Sequence, residues 1–527
     1  MILLHLRRRK FVSSDANWVA MKTDRINFSY VLFISLISAL GGLLFGYDWV
    51  VIGGAQPHYE SYFIAHSQLW AAAREGTASV RFEWLQGFAM SSALWGTLIG
   101  AMVSGWIADR YGRKRPLVIS AFFFTLSAIW VGSIDQPWWF GGDNPVFNGF
   151  GGFMAARILG GIGIGLASML SPLFIAEVSP SAYRGRLVSL NQLTIVIGIL
   201  AAQMTNYWIG RFHAPADPSL IDTARLQWAN DMSADGWRWM FLAGAFPAGL
   251  FLVMSFFLPE SPRWLAKSGK PEKAGHVLNK IGSSSFAQSE LAEIRASLIN
   301  ETRKVNLKHL FEKGMPRILL IGIVLAVLQQ WCGINVIYNY ATDIFSAAGI
   351  DKTNVLFTIL LTGVVNLIFT FMGISLVDKI GRKTLMLIGT AGLTIIYALM
   401  GAAFLFINKD PGTLKLLSVP TLILVLMAIA VYATTLAPVT WVLLSEIFPN
   451  RIRATAMSIG TFSLWIACTI LTMTFPMLNS TLKASGTFWL YGGICILGFL
   501  FVKRMLVETK GKSLEELERD LAVGRKN

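Results

Sequence analysis

The chain has 527 residues, of which 54% are hydrophobic and 14% charged, and its mean hydropathy is +0.55. A soluble domain carries about 25% charged residues, so this chain cannot cover a water-facing surface. Its net charge of +15 does not mark a nucleic-acid binder. The basic residues gather in short loops between apolar runs, where they set membrane topology.

Residues 1–28 read as a cytoplasmic segment. The basic run Arg7 to Lys10 precedes polar sequence, not an apolar core, so it is no secretory signal, and Met21 is an alternative start. Twelve apolar segments follow, at roughly 29–54, 85–107, 115–134, 149–178, 187–210, 239–258, 316–346, 354–377, 383–407, 418–445, 454–477 and 486–504. Each approaches the ~20 residues that cross a bilayer. All are predicted helices, because lipid offers the backbone no hydrogen bonds. They divide into a six-helix bundle over 29–259 and a second over 316–505, with a linker at 260–315 and a tail at 506–527. The linker pieces Lys270–Lys280 and Glu290–Ser297 read as short amphipathic helices. They form either a solvated connection or a cytoplasmic latch against both bundles. The longest outer loop, about 56–84, carries no readable role.

Loop charge sets the orientation. The second-to-third connection holds Arg110, Arg113, Lys114 and Arg115, and the eighth-to-ninth holds Lys379, Arg382 and Lys383. The third-to-fourth has Asp135 and Asp143 but no Lys or Arg. Both termini are therefore expected in the cytoplasm. In the fourth span, Arg157-Ile-Leu-Gly-Gly-Ile-Gly-Ile-Gly165 places Gly161 and Gly165 four apart, a small-residue stripe for close helix packing. Cys332, Cys468 and Cys495 are odd in number, lack metal-ligand spacing and read as buried hydrophobes.

Two copies of one unit are legible. Asp109-Arg110-Tyr111-Gly112-Arg113-Lys114 returns as Asp378-Lys379-Ile380-Gly381-Arg382-Lys383, and Glu177, Pro180 and Arg184 return as Glu446, Pro449 and Arg453. Every step is 269 residues (378 − 109, 446 − 177, 449 − 180, 453 − 184). Paired repeats in a membrane protein are transporter architecture. The charges Asp109, Arg113, Glu177, Arg184, Asp378, Arg382, Glu446 and Arg453 are expected to form inter-helix ion pairs that close an inner gate and break when it opens.

Inside the spans lie Asp48 and Arg157. A mid-membrane charge costs about 2.5–3.5 kcal/mol on insertion scales, so each must face a cavity or a partner. The pair is either structural or a proton site, with movement of the arginine switching the carboxyl's proton affinity. No histidine falls in a span interior, which argues against histidine coupling. Gln192, Gln329, Gln330, Asn335, Asn339 and Asn366 also lie within spans. Amides beside Trp331, Tyr338 and Tyr340 suit a neutral polyhydroxylated ligand, and helix–helix glue is the alternative.

These residues resemble the sugar porter family of the major facilitator superfamily over about residues 29–518. The match includes Gly41-Gly-Leu-Leu-Phe-Gly-Tyr-Asp48, Gly105 to Lys114, Arg157 to Glu177, Arg184-Gly-Arg186, Pro259-Glu-Ser-Pro-Arg-Trp-Leu265, Gln329 to Asn335, Asp378 to Lys383, Glu446 to Pro449 and Glu508-Thr-Lys-Gly-Lys-Ser-Leu-Glu515. Bacterial xylose–proton symporters are the most similar group. The resemblance implies the major facilitator fold, two six-helix bundles about a pseudo-two-fold axis. It also implies Asp48 as proton site with Arg157 as its modulator, and sugar contacts at Gln192, Gln329, Gln330, Asn335, Asn366 and Trp465, with Trp441 and Phe45 as aromatic walls. Facilitative carriers of the family lack the aspartate. Four positions depart from the family: Asn339 stands for tyrosine, Leu436 for a stacking tryptophan, Leu464 for glutamine and Trp49 for a small residue. Xylose or glucose as cargo is therefore not implied.

The expected function is proton-coupled symport of a pentose or hexose by alternating access, in a bacterial inner membrane. The proton is the coupling ion. No cofactor, metal, nucleic acid or obligate protein partner is expected. A uniporter on the same scaffold is the nearest alternative and a non-transporting sensor a remote one. No enzyme constellation is present within the spans.

Overall fold

A computed structural model describes residues 26–136, 144, 146–181, 183–212, 235–301, 314–350, 352–409, 413–448 and 453–510. Among these residues the fold is helical, without a strand.

The first bundle is built from α1 (Phe28–His66), a short α2 (Gln68–Arg74), α3 (Phe82–Tyr111), α4 (Lys114–Ser133), α5 (Gly149–Val178), α6 (Arg184–Phe212) and α7 (Asp235–Ser255). The linker forms α8 (Pro262–Lys267), α9 (Pro271–Ile281) and α10 (Ser284–Glu301). The second bundle holds α11 (Met315–Trp331), α12 (Ile334–Asn339), α13 (Ala341–Ala347), α14 (Lys352–Ile380), α15 (Arg382–Lys409), α16 (Leu414–Thr434), α17 (Leu436–Glu446) and α18 (Arg453–Met505). Among the described residues, eleven helices are long and apolar enough to cross a membrane. The last, α18, carries two of the twelve expected spans, because Lys483 (φ 58, ψ 172) interrupts its 53 residues. Phe246 is 80%, Leu416 75% and Leu497 68% exposed, an outer surface that only lipid can cover.

Helix ends follow local chemistry. Asn27 caps α1, its side chain accepting from the Tyr30 N–H at 3.2 Å. Ser261 caps α8 ahead of Pro262, whose missing N–H costs nothing in the first turn. The small-residue stripe works as its spacing predicts. Gly161 and Gly165 on α5 lie against the backbone of α3, and Gly96 and Gly100 on α3 lie reciprocally against α5. A side chain at any of the four would force the helices apart.

Two spans that read as continuous are broken. The seventh turns at Gly333 (φ 85) between α11 and α12. The tenth breaks at Thr435 between α16 and α17. Pro438 has no N–H to offer the Thr434 carbonyl, which weakens the helix there.

The bundles meet through α3 against α18, α6 against α14, and α1 against α12 and α13. Their close contacts lie away from the linker. Gln203 donates to the Thr362 hydroxyl at 3.1 Å, Thr342 to the Gly53 carbonyl at 3.0 Å, and Gln56 to Asp343 at 2.9 Å. Gly87 lies against the Met473 carbonyl and Gly210 against Leu356. We name this the far end. The linker helices pack on the first bundle, with α9 on α1 and α8 on α5. The Asn27 N–H donates to the Ile281 carbonyl at 2.8 Å and ties the start of α1 to α9.

Candidate functional site

Asp48 and Arg157 meet at the centre of the first bundle. The Arg157 Nη1 donates to Asp48 Oδ1 at 2.5 Å. Arg157 is 2% exposed and the Asp48 side chain 17%. The guanidinium also lies 5.0 Å over the Phe241 ring, an electrostatically favourable seat for a desolvated cation. Asp48 Oδ2 and Arg157 Nε are buried with no partner among the described residues. Beside them is a cavity of ≈ 20 Å³, lined in part by Asp48, Tyr47, Ser127 and Phe241. That is room for about one water molecule. Asp48 therefore has an arginine on one side and a water-sized cavity on the other.

The amides cluster in the second bundle, on both sides of the Gly333 break. Gln330 donates to Gln329 at 2.7 Å and accepts from Asn335. All three are under 8% exposed. Asn335 also donates to Cys468 Sγ at 3.7 Å, and Asn339 donates to the Thr472 hydroxyl at 3.4 Å with its own Oδ1 left unpartnered. A continuous helix would send residues 329 and 335 to different faces; across the break, Gln330 bonds to both of them. Trp465, one turn before Cys468, has a buried Nε1–H without an acceptor. Its ring lies 5.6 Å from Phe45 of the first bundle.

Other expected contacts are not drawn into this cluster. Gln192 is half-buried on α6 and Asn366 is 6% exposed on α14; among the described residues neither hydrogen-bonds to the amides. Trp441 is 37% exposed on α17. Leu436, the departure from a stacking tryptophan, packs on Gly389 inside its own bundle.

The repeated charges pair within each bundle, not between bundles. Arg113 grips Glu177 with two bonds of 2.9 Å, the bidentate geometry that suits guanidinium and carboxylate. Arg382 repeats this with one bond of 2.9 Å to Glu446. Asp109 is 63% exposed and reaches Lys267 at 3.4 Å and Arg113 at 4.0 Å. Arg184 is exposed, and its charge acts on the Glu290 carboxyl of the linker. The side chains of Asp378 and Arg453, and Pro449 entirely, lie outside the described residues. These pairs are formed while the bundles touch at the far end. They join helices inside each bundle, Arg113 with Glu177 in the first and Arg382 with Glu446 in the second.

Two residues escaped the fixed-offset reading. Glu260 accepts from the backbone N–H groups of Arg113 at 2.7 Å and Lys114 at 3.2 Å. Glu508 accepts from those of Arg382 at 2.8 Å and Lys383 at 3.0 Å. Each caps the helix that follows its loop, where free N–H groups attract a carboxylate. They stand 248 residues apart (508 − 260), not 269, so a constant-spacing search misses them. Their signal was position, just past each bundle's last span.

The family model for sugar (and other) transporters matches residues 34–521. This chain belongs to that sugar transporter family. It is 39% identical over 505 residues to the D-xylose-proton symporter of Escherichia coli (strain K12), covering 93% of this chain and 96% of that one. It is 36% identical to the arabinose-proton symporter of Bacillus subtilis (strain 168), covering 93% and 95%. Among solved structures, the inward open conformation of the xylose transporter XylE from E. coli matches with a TM-score of 0.75 at 37% identity, covering 93% and 99%. XylE bound to 6-bromo-6-deoxy-D-glucose matches at 0.73 and 38%, covering 94% and 99%. The sugar transporter fold is thus two six-helix bundles in a membrane, and the family is one of carriers, not enzymes.

Proposed function

We propose that this chain moves a monosaccharide, a pentose or hexose, together with a proton by alternating access. One observation carries the reading. An ionisable carboxyl, paired to a buried arginine and open to a water-sized cavity, shares one helical turn with Phe45, which touches the aromatic wall of the amide cluster. Sugar occupancy and the Asp48–Arg157 pair can then act on each other through α1.

Asp48 takes a proton from one side and Arg157 reclaims the carboxylate when the proton leaves. Gln329, Gln330 and Asn335 exchange their mutual hydrogen bonds for sugar hydroxyls. The bundles rock about this centre. Contacts at the far end support a state closed there and accessible from the linker end. The Lys and Arg of the linker-end loops support placing that end, with both termini, in the cytoplasm, and the bacterial relatives support an inner membrane.

One proton moving down ~150 mV supplies about 3.5 kcal/mol, or roughly 300-fold sugar accumulation. A uniporter gives none. The test is uptake of a labelled sugar panel into proteoliposomes with and without an imposed pH gradient. Accumulation above equilibrium only with the gradient is expected. Equal final levels under both conditions would leave the uniporter.

A further inference from the structure

The turn of α1 that carries Asp48 has a second side. Trp49 is the next residue, about 100° further round the helix, and it points away from Arg157 to the opposite bundle. Its ring lies 5.9 Å from Trp465, tilted at 57°, and 5.6 Å from Phe45, edge-on at 89°. Phe45 is itself 5.6 Å from Trp465. The three rings close a triangle, two from the first bundle and one from the second. Phe45 and Trp49 stand four apart, the spacing that stacks side chains on one helix face. Both are half-buried, while Trp465 is 2% exposed.

This triangle borders the amides. Cys468, three residues past Trp465 on the same face of α18, receives the Asn335 hydrogen bond. Along this face of α18 the amide cluster and the aromatic triangle are neighbours. Trp49 attaches one of the two indoles of this triangle to the turn that carries Asp48.

We propose that Trp49 is a specificity-determining residue. Its indole completes the aromatic wall with Phe45 and Trp465, presents an apolar face to one sugar ring, and leaves no room for a second. Pyranose C–H faces pack on such rings while their hydroxyls meet the amides. The inference rests on the transport reading above and adds the residue that limits the cargo to a single ring.

The test uses the full-length chain, purified and reconstituted, as wild type, Trp49→Ala and Trp49→Phe. The probes are D-xylose, D-glucose and maltose. Binding is read by isothermal titration and uptake in proteoliposomes under a pH gradient. The wild type should bind a monosaccharide and ignore maltose. Trp49→Ala should bind that monosaccharide about tenfold more weakly and should now bind maltose. Trp49→Phe should stay near wild type and still exclude maltose. Accumulation driven by the gradient should persist in Trp49→Ala at saturating sugar, because Asp48 and Arg157 are untouched. The proposal is overturned if Trp49→Ala keeps wild-type affinity and still excludes maltose. It is also overturned if Trp49→Phe is as damaged as Trp49→Ala, or if no protein binds any of the three sugars. Monosaccharide binding without gradient-driven accumulation in the wild type would sink the coupling reading alone.

Discussion

The two bundles are copies of one unit, yet they do different chemistry. At the linker end they match closely: Arg113 with Glu177 and a Glu260 cap in the first, Arg382 with Glu446 and a Glu508 cap in the second. At the centre they do not. The first bundle holds an ion pair, Asp48 with Arg157. The second holds neutral amides, Gln329, Gln330 and Asn335. The residue one repeat on from Arg157 is Leu426. The lesson is that duplication preserved what fastens helices at the linker end and left the two centres chemically different. In the function proposed above, the charged centre serves the proton and the amide centre the sugar.

The largest expected effect removes the asymmetry outright. Asp48→Asn should reduce gradient-driven accumulation from roughly 300-fold to none while sugar exchange continues; a variant that still concentrates sugar would show that Asp48 is not the coupling site. Next comes the other half. Gln330→Ala strands Gln329 and Asn335 without their shared partner and should raise KM about 10- to 100-fold, with the pH-gradient dependence of uptake unchanged.

The matched ends predict graded losses in stability. Glu177→Ala leaves Arg113, 9% exposed, as an uncompensated buried charge, at about 3 kcal/mol. Glu446→Ala should cost less, about 1 kcal/mol, because the Glu446 side chain is 27% exposed. Thermal unfolding of the purified protein measures both, and the reverse order would break this ranking by burial. Gly333→Ala tests the broken span. Its backbone is left-handed (φ 85) and an added Cβ would meet the Tyr491 ring at 2.7 Å, so about 1–2 kcal/mol is expected, with slower turnover.

The smallest effect lies in the linker. Burial, then the neighbouring Glu293, holds the Glu290 carboxyl above its ordinary value of 4.5, and Arg184 partly offsets them. A raised carboxyl stabilises the docked form only while protonated. That contribution is complete below the ordinary value and is lost as pH rises through the raised one. Arg184→Ala should extend the loss to higher pH, seen as a salt-dependent change in protease sensitivity between α9 and α10.

Sequence by itself determined the membrane fold, because only helices satisfy a backbone in lipid and Lys and Arg mark its loops. It also determined the duplication, and that Asp48 and Arg157 needed partners, because unpaired charge is too costly in hydrocarbon. Other features needed three dimensions. Whether Arg113 and Arg382 pair within or between bundles depends on which helices lie side by side. The break at Gly333 depends on Tyr491 packing against it, and Gln192, Trp441 and Asn366 occupy places that linear spacing does not fix. The meeting of Trp49 with Trp465, 416 positions apart (465 − 49), depends on the closing of the bundles at the far end. Burial cost is local and can be read along a chain; the identity of a neighbour is a property of packing.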